Sequence, residues 1–174
     1  MMGEQGDIRE YPSIFSDHFP LGALFFLNDF LLLIDYSCLL RFFPFNKVIE
    51  RIEKLKNHKN TSQPLSDKGY FTLNVIWKDC TKILNSIFSS KKPCLRRSLI
   101  LYRWCCQNNI DAQLIIGVKK DGLKLISHAW LSVQGKPFRE EIQELLSYSP
   151  ILIIPFERSG NHAGKTLFKI LPTE

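Results

Sequence analysis

The 174-residue chain has no N-terminal apolar core after a basic start and no two cysteines at Cys-x-x-Cys spacing. Its first twenty residues are polar and rich in acidic side chains, unlike a secretory signal peptide. The five cysteines are an odd number and include no Cys-x-x-Cys pair, so neither a disulfide framework nor a zinc knuckle is indicated. We therefore expect a cytoplasmic protein whose thiols are free.

The chain also has no concentrated block of one charge. Its formal net charge of +6 is spread along the sequence. Nucleic-acid binding typically needs a basic stripe with interleaved aromatic residues, so we expect no nucleic-acid partner. A basic groove for an acidic peptide stays open as an alternative. With 45% apolar and 23% charged residues, the composition is that of an ordinary globular protein.

A long uninterrupted apolar run is missing as well. The stretch from Leu21 to Ile34 is the most apolar, but Asn28 and Asp29 interrupt it and Asp35 closes it. It thus falls short of the roughly 20 residues that a membrane-spanning helix needs. We expect a buried amphipathic helix here. The many phenylalanines between positions 25 and 45 keep peripheral membrane contact as the alternative, which would make the protein membrane-associated.

Breaks along the chain divide it into two regions. The segment 57–67 is rich in Asn, Ser, Lys and Pro and is the predicted linker. It separates an N-terminal arm and helical region, residues 1–60, from a second domain, residues 61–174. Pro44 breaks the helical character of the first region, because proline lacks an N–H and restricts the residue before it.

The second region has a helical half and a strand-like half. Apolar residues at helical spacing predict one helix over Leu73–Phe88 and another that begins near Cys94 and ends near Asn108–Asn109. Strand-like runs follow at 112–118 and 123–133 around an Asp-Gly turn, then from Lys136, over 151–156 and over 166–170. The pattern predicts an α+β fold with an antiparallel sheet.

Cys94 is the strongest candidate for chemistry. Pro93 cannot lie inside a helix, so the predicted helix begins at or near Cys94. Free backbone N–H groups and the positive end of the helix dipole favour a thiolate there. His128 lies on a later strand. A cysteine at a helix start followed by a histidine on a strand is the chain order of papain- and transglutaminase-like nucleophiles.

Such a histidine needs a side chain that orients it. The third strand begins just after Gly135, alongside the strand of His128, and a carboxylate there could reach the imidazole. Glu140 and Glu141 are the candidates.

Three segments carry a resemblance to a known family: Cys94-Leu95-Arg96-Arg97-Ser98-Leu99, Asn109-Ile110-Asp111-Ala112-Gln113-Leu114-Ile115-Ile116-Gly117-Val118, and His128-Ala129-Trp130-Leu131-Ser132-Val133-Gln134-Gly135. They resemble the leader peptidase of lasso-peptide biosynthesis, the B protein of microcin-type clusters, which has a transglutaminase-like, papain-like cysteine peptidase fold. The family pattern runs roughly C-L-x-R-[AS]-L, G-I-x-A-x-L-x-I-G-V and H-A-W-[VL]-x-x-x-G. The resemblance is specific from about Ile76 to Phe138.

The resemblance implies a catalytic triad. Cys94 and His128 match the family, whereas the family's Asp, twelve residues after the His, falls on Glu140. This departure keeps the charge but adds one methylene, so Glu141 stays an alternative. A second departure places Asn109 where the family often has Gly, and Asn also tolerates the left-handed conformation.

The resemblance further implies a function: a cysteine peptidase that removes the leader from a ribosomally made precursor peptide and needs no cofactor. Its partners would be the precursor, a leader-recognition protein and a separate ATP-dependent lasso cyclase. Residues 1–60 do not show the strand-rich start of a fused recognition domain, so that protein is expected to be separate. Two alternatives stay open, a non-catalytic peptide-docking scaffold and a thioester acyl transferase of transglutaminase type.

One apparent motif is set aside. The segment from Gly160 to Thr166 resembles a phosphate-binding loop, but three residues separate its glycines where that motif has four. We interpret it as a turn between terminal strands. Any ATP requirement is therefore assigned to a partner.

Overall fold

The computed structural model describes residues 19–56, 63–86 and 93–155. The predicted strand at 166–170, the turn at 160–166 and most of the predicted linker lie outside these residues, as does nearly all of the N-terminal arm. The elements, in chain order, are α1 Phe19–Phe42, α2 Phe45–Glu53, α3 Asp67–Ser86, α4 Pro93–Gln107, β1 Ala112–Asp121, β2 Lys124–Val133, β3 Lys136–Pro137, α5 Ile142–Leu145 and β4 Ser149–Ile154.

The helix boundaries follow the breaks in the sequence. α1 ends and α2 begins on either side of Pro44, as predicted. α4 begins at Pro93 and ends at Gln107, and Asn109 then adopts a positive φ of 52°. Asn is among the few residues that take this conformation readily, so it ends the helix where the sequence predicted. α3 begins six residues before the predicted apolar stripe.

The described strands form one antiparallel sheet with the order β3-β2-β1-β4. β1 and β2 are a long hairpin whose register runs from Ala112 opposite Val133 to Asp121 opposite Lys124. Gly122 opens its two-residue turn at a φ of 58°, which glycine adopts without strain. This register places His128 in the middle of β2. The fold is therefore α+β, helices first and an antiparallel sheet after them.

α4 lies at the centre of the core. Seven of its residues are buried, from Ser98 to Cys106, and it packs against β1 and β2 on one side and against α1, α2 and α3 on another. The buried side chains Leu33, Ile49 and Leu84 belong to the same apolar cluster as those of the sheet. The first two helices thus share the core of the later elements. The proposed domain boundary at residue 60 stays a prediction.

α1 differs from the prediction. It continues through Asp29 and Asp35 to Phe42, and Ala23–Phe42 is long and apolar enough to cross a membrane by length and composition, as are many soluble core helices and signal sequences. Only 17% of that stretch is buried. The expected buried amphipathic helix is thus only partly buried: Asp29 packs inward, while Leu24, Leu27 and other apolar side chains face outward.

Candidate active site

Cys94 is the second residue of α4, and its side chain is partly buried against β2. The thiol forms a hydrogen bond with the side chain of His128 and accepts hydrogen bonds from the backbone N–H groups of Ala129 and Leu95. The Leu95 N–H belongs to the first helical turn, whose N–H groups have no partner within the helix. The sulfur therefore lies in a setting of donors that favours negative charge on it.

The start of α4 is attached to β2 by a second polar contact. Ser98, one turn after Cys94, is buried, and its hydroxyl donates a 3.0 Å hydrogen bond to the carbonyl oxygen of Ala129. The N–H of the same Ala129 donates to the Cys94 sulfur. Ala129 thus holds the helix through its carbonyl and the sulfur through its amide, which fixes the separation of Cys94 from the neighbouring His128.

The imidazole of His128 packs in a cluster with two aromatic side chains, whose own ring centroids lie 6.3 Å apart. It stacks on the indole of Trp130 at a centroid distance of 5.9 Å and an angle of 17°, and it lies 5.6 Å from the ring of Tyr148. Trp130 itself is 5% exposed. These contacts limit rotation of the imidazole, whose side chain is 22% exposed.

Glu140 lies within hydrogen-bond distance of the imidazole. Nε2 of His128 lies 3.1 Å from Oε2 of Glu140, whose side chain is only 14% exposed. Nδ1 is the remaining ring nitrogen and is the one available to the Cys94 thiol. Glu141 is exposed and stands at the N-terminus of α5. The structure therefore brings Cys94, His128 and Glu140 together in a line, and Glu141 does not take part.

The electrostatics of this line favour a charged pair. Burial raises the pKa of the Cys94 thiol, but the hydrogen bond from His128, the backbone donors and the positive charge of the imidazolium outweigh it, so the pKa lies below its ordinary value. The pKa of His128 is raised from 6.5 to about 9 by its hydrogen bonds to Cys94 and Glu140 and by their negative charges, against the effect of burial. Thiolate and imidazolium thus stabilise each other.

Arg97 supports the outer end of this line. One guanidinium nitrogen donates to Oε1 of Glu140 at 3.3 Å, and another donates to the hydroxyl of Thr81 at 3.1 Å. A charged residue on a helix is usually solvated, so the sequence around Cys94 does not single out Arg97. The signal that could have found it is the spacing of Trp77 and Thr81, four residues apart on α3, which places both on the face that Arg97 meets.

Gly117 is a further residue that the sequence did not single out for function. It lies opposite His128 in the β1–β2 ladder. A Cβ at this position would lie 2.9 Å from the indole of Trp130 and 3.1 Å from the Cβ of Tyr148. The absence of a side chain therefore gives the two aromatic residues around His128 the space they occupy.

The other cysteines differ from Cys94. Burial raises the pKa values of Cys80, Cys105 and Cys106, that of Cys105 to about 12 and that of Cys106 to about 11. Cys38 is exposed on α1. Across residues 19–56, 63–86 and 93–155 no three His, Cys, Asp or Glu side chains group as a metal site would require. Among the cysteines, Cys94 thus combines partial exposure with a lowered thiol pKa.

A cavity of about 210 Å³ lies elsewhere, between α1, α3 and α4. Asp29, Ile100 and Trp104 are among its lining residues, and none of Cys94, His128 and Glu140 borders it. The cavity is therefore separate from the candidate catalytic line.

Comparison with known proteins agrees with this geometry. Residues 33–153 match the family described as the transglutaminase-like superfamily. The chain therefore belongs to that superfamily, whose members are typically cysteine peptidases or acyl transferases. No curated protein and no solved structure matched the chain.

Proposed function

We propose that this protein is a cysteine peptidase that removes the leader from a ribosomally made precursor peptide during lasso-peptide maturation. The observation that carries the proposal is the line from the Cys94 thiol through the His128 imidazole to the Glu140 carboxylate, in a chain of the transglutaminase-like superfamily. The lasso assignment rests on the motifs around Cys94, Gly117 and His128.

In the proposed mechanism the thiolate of Cys94 attacks the carbonyl carbon at the leader–core junction. The resulting oxyanion would be held by the backbone N–H of Cys94 or its neighbour at the start of α4. His128 as imidazolium gives its proton to the departing core amine, and the leader stays bound as a thioester. Neutral His128 then takes a proton from water as the water attacks the thioester, which releases the leader acid and restores the Cys94 thiolate beside the His128 imidazolium.

The proposed partners follow from this chemistry. A precursor peptide supplies the scissile bond, a separate leader-recognition protein brings it to the cleft, and a separate ATP-dependent cyclase receives the freed core amine. This chain's residues use no cofactor in the proposed steps. We place the reaction in the cytoplasm.

The outward face of α1 supports peripheral membrane contact as a second part of the localisation proposal. Leu24, Leu27, Leu31 and Phe42 are between 50% and 73% exposed. A face of this kind binds at the lipid–water interface when it buries its apolar side chains. Co-sedimentation with anionic vesicles tests it. Loss of sedimentation in a Leu27→Ser/Leu31→Ser variant supports the contact, and no sedimentation of the wild type contradicts it.

Acyl transfer to an amine is the rival that shares the thioester. The superfamily includes such transferases, and the arrangement around Cys94 serves both reactions. The mass of the leader product separates them, because hydrolysis leaves a free carboxylate and transfer leaves an amide. A non-catalytic scaffold is the other rival. The lowered pKa of the Cys94 thiol speaks against it, because a docking surface has no need of a stabilised thiolate.

The experiment is intact-mass spectrometry of the precursor encoded beside this gene, incubated with the purified protein. Each mixture is made with and without the recognition protein and the cyclase. Cys94→Ala is the test variant, and Cys38→Ala, at an exposed thiol on α1, is its matched control. Leader and linear core that form with wild type and Cys38→Ala, but not with Cys94→Ala, are expected. Cleavage by Cys94→Ala would contradict the proposal.

A further inference from the structure

Arg97 is more deeply placed than a charged helix residue usually is. It is one turn after Cys94 on α4, and its side chain is 13% exposed. Removing a guanidinium from water costs several kcal/mol unless its donors are satisfied and its charge is compensated. The contacts that compensate it therefore indicate what the residue is for.

Two of these contacts come from α3. Thr81 accepts a 3.1 Å hydrogen bond from Arg97, and the guanidinium carbon lies 4.8 Å from the ring centroid of Trp77. The hydroxyl of Thr81 donates in turn to the backbone carbonyl of Trp77 at 2.7 Å. A planar guanidinium held by its rim and its face has little freedom to rotate. Its orientation is thus set by α3.

The third contact joins Arg97 to the catalytic line. Glu140 divides its two oxygens between two partners: Oε1 accepts from Arg97 at 3.3 Å, and Oε2 meets Nε2 of His128 at 3.1 Å. A carboxylate bonded to the imidazole alone could rotate about its side-chain torsions. With its second oxygen held by a fixed guanidinium, one orientation remains.

The segment that carries Glu140 is held on the same surface. The preceding residue, Arg139, has a positive φ of 58° and donates a 2.6 Å hydrogen bond to Asn74 on α3. Its guanidinium carbon lies 5.6 Å from the centroid of Trp77. The chain at Arg139 and the carboxylate of Glu140 are thus both anchored to α3, the first directly and the second through Arg97. Glu140 itself contacts His128 on β2.

We propose that Arg97 is a positioning residue, which holds Glu140 so that its carboxylate keeps His128 in the tautomer and orientation that the Cys94 thiolate requires. The inference rests on the proposed function. The groups that face the imidazole are Cys94 from α4, Glu140 from the segment after β3, and Tyr148, whose ring has the Lys119 ammonium 4.6 Å from its centroid.

The test measures Cys94 itself and needs no substrate. The rate of alkylation of Cys94 by iodoacetamide is followed from pH 5 to pH 10 by mass spectrometry of the peptide that carries it. Arg97→Gln should lower the rate at pH 6.5 about tenfold, because a less supported imidazolium leaves less thiolate. Arg97→Lys keeps the charge but lacks the planar guanidinium, and its alkylation rate should lie between those of wild type and Arg97→Gln.

A double-mutant cycle separates positioning from other roles. If Arg97 acts through Glu140, Arg97→Gln added to Glu140→Gln should change the rate less than about twofold, since the group it positions is already impaired. If the two effects multiply, Arg97 acts independently and the inference is overturned. An unchanged alkylation profile in Arg97→Gln overturns it as well.

Two further variants test whether a slower rate reflects the position of Arg97. Thr81→Val removes one partner of the guanidinium without removing a charge, and it should slow alkylation in the same direction by about threefold; an unchanged rate contradicts the inference even if Arg97→Gln fails to fold. Arg51→Gln, on α2, breaks an exposed ion pair with Asp35 of α1 and should leave the rate unaltered. If Cys94 of the wild type reacts no faster than the exposed Cys38 at pH 6.5, both this inference and the proposed function fail.

Discussion

Gly117 and His128 face each other across the β1–β2 ladder, and the space that Gly117 leaves is filled by the aromatic side chains that hold His128. The indole of Trp130 lies where a Cβ on Gly117 would be, and the same indole stacks on the imidazole. A residue without a side chain thus contributes to the site by allowing another to approach the backbone. This relationship gives the first prediction.

Gly117→Ala should displace Trp130, because its Cβ would come within 2.9 Å of the ring, closer than real contacts allow. Overpacking of this kind typically costs about 1–3 kcal/mol in the free energy of unfolding. We expect a lowered urea midpoint and a loss of cleavage of at least about tenfold, because His128 loses its stacking partner. Gly69→Ala on α3 is the control, since the nearest atom there is the flexible end of Leu65. Equal activity in the two variants would contradict the account.

The second prediction concerns pH. Cleavage needs the Cys94 thiolate, which forms above its lowered pKa, and the His128 imidazolium, which is lost above about 9. A plot of kcat/KM against pH should therefore be bell-shaped, rising on the acid side and falling with an alkaline limb near pH 9. Rates measured from pH 5 to pH 10.5 under single-turnover conditions test this. A rate that keeps rising beyond pH 10 would show that protonated His128 is not required.

The third prediction distinguishes the two adjacent glutamates. Glu140→Gln removes the negative charge that supports the imidazolium, so the pKa of His128 should fall and kcat/KM should fall roughly 10²-fold. Glu141→Gln, one residue further and exposed, should stay within about twofold of wild type. Proton NMR titration of His128 provides the independent measurement. Similar losses of kcat/KM in both variants would show that Glu140 has no specific role in supporting His128.

The fourth prediction concerns Asp29, whose pKa is raised from 3.8 to about 6 by burial and by the charge of Asp79, against a hydrogen bond from Asn28. The folded state binds this proton more tightly than the unfolded chain does, so stability should fall as the pH rises from 4 through 6. Asp29→Asn should therefore raise the free energy of unfolding by about 2 kcal/mol at pH 8 and change it little at pH 4.

Urea denaturation at both pH values measures this difference. Asp35→Asn is the control, because Asp35 is about half exposed in its ion pair with Arg51, and an exposed pair contributes less than about 1 kcal/mol. A gain for Asp29→Asn that is equal at pH 4 and pH 8 would mean that ionisation of Asp29 is not its cause.

Local rules were sufficient for part of this structure. Pro93 fixed the start of α4, and Gly122 indicated the hairpin turn, because each restricts or permits backbone angles whatever the rest of the chain does. The pairing of Cys94 with His128 followed from the order of helix and strands. The residues alone left Glu140 and Glu141 open, and only the spacing of the resembling family pointed to Glu140, since a register of one residue decides which carboxylate meets the imidazole.

The remainder depends on contacts between elements far apart in the chain. The environment of Arg97 depends on its contacts with Thr81 and Trp77 of α3. No local pattern around Cys94 predicts those contacts. The orientation of α1 also depends on such contacts, since Asp29, which interrupts the apolar run in the sequence, is 4% exposed and packs inward. Its burial is tolerated because the carboxyl can hold a proton near pH 6.

The most direct test of the central claim is cleavage of the precursor in oxygen-18-labelled water, followed by intact-mass spectrometry of the leader. If Cys94 forms a thioester that water resolves, the new leader carboxylate carries one heavy oxygen with wild type, and no leader forms with Cys94→Ala. Leader released by the Cys94→Ala variant, or wild-type leader that carries no label because an amine has resolved the thioester, would contradict the account.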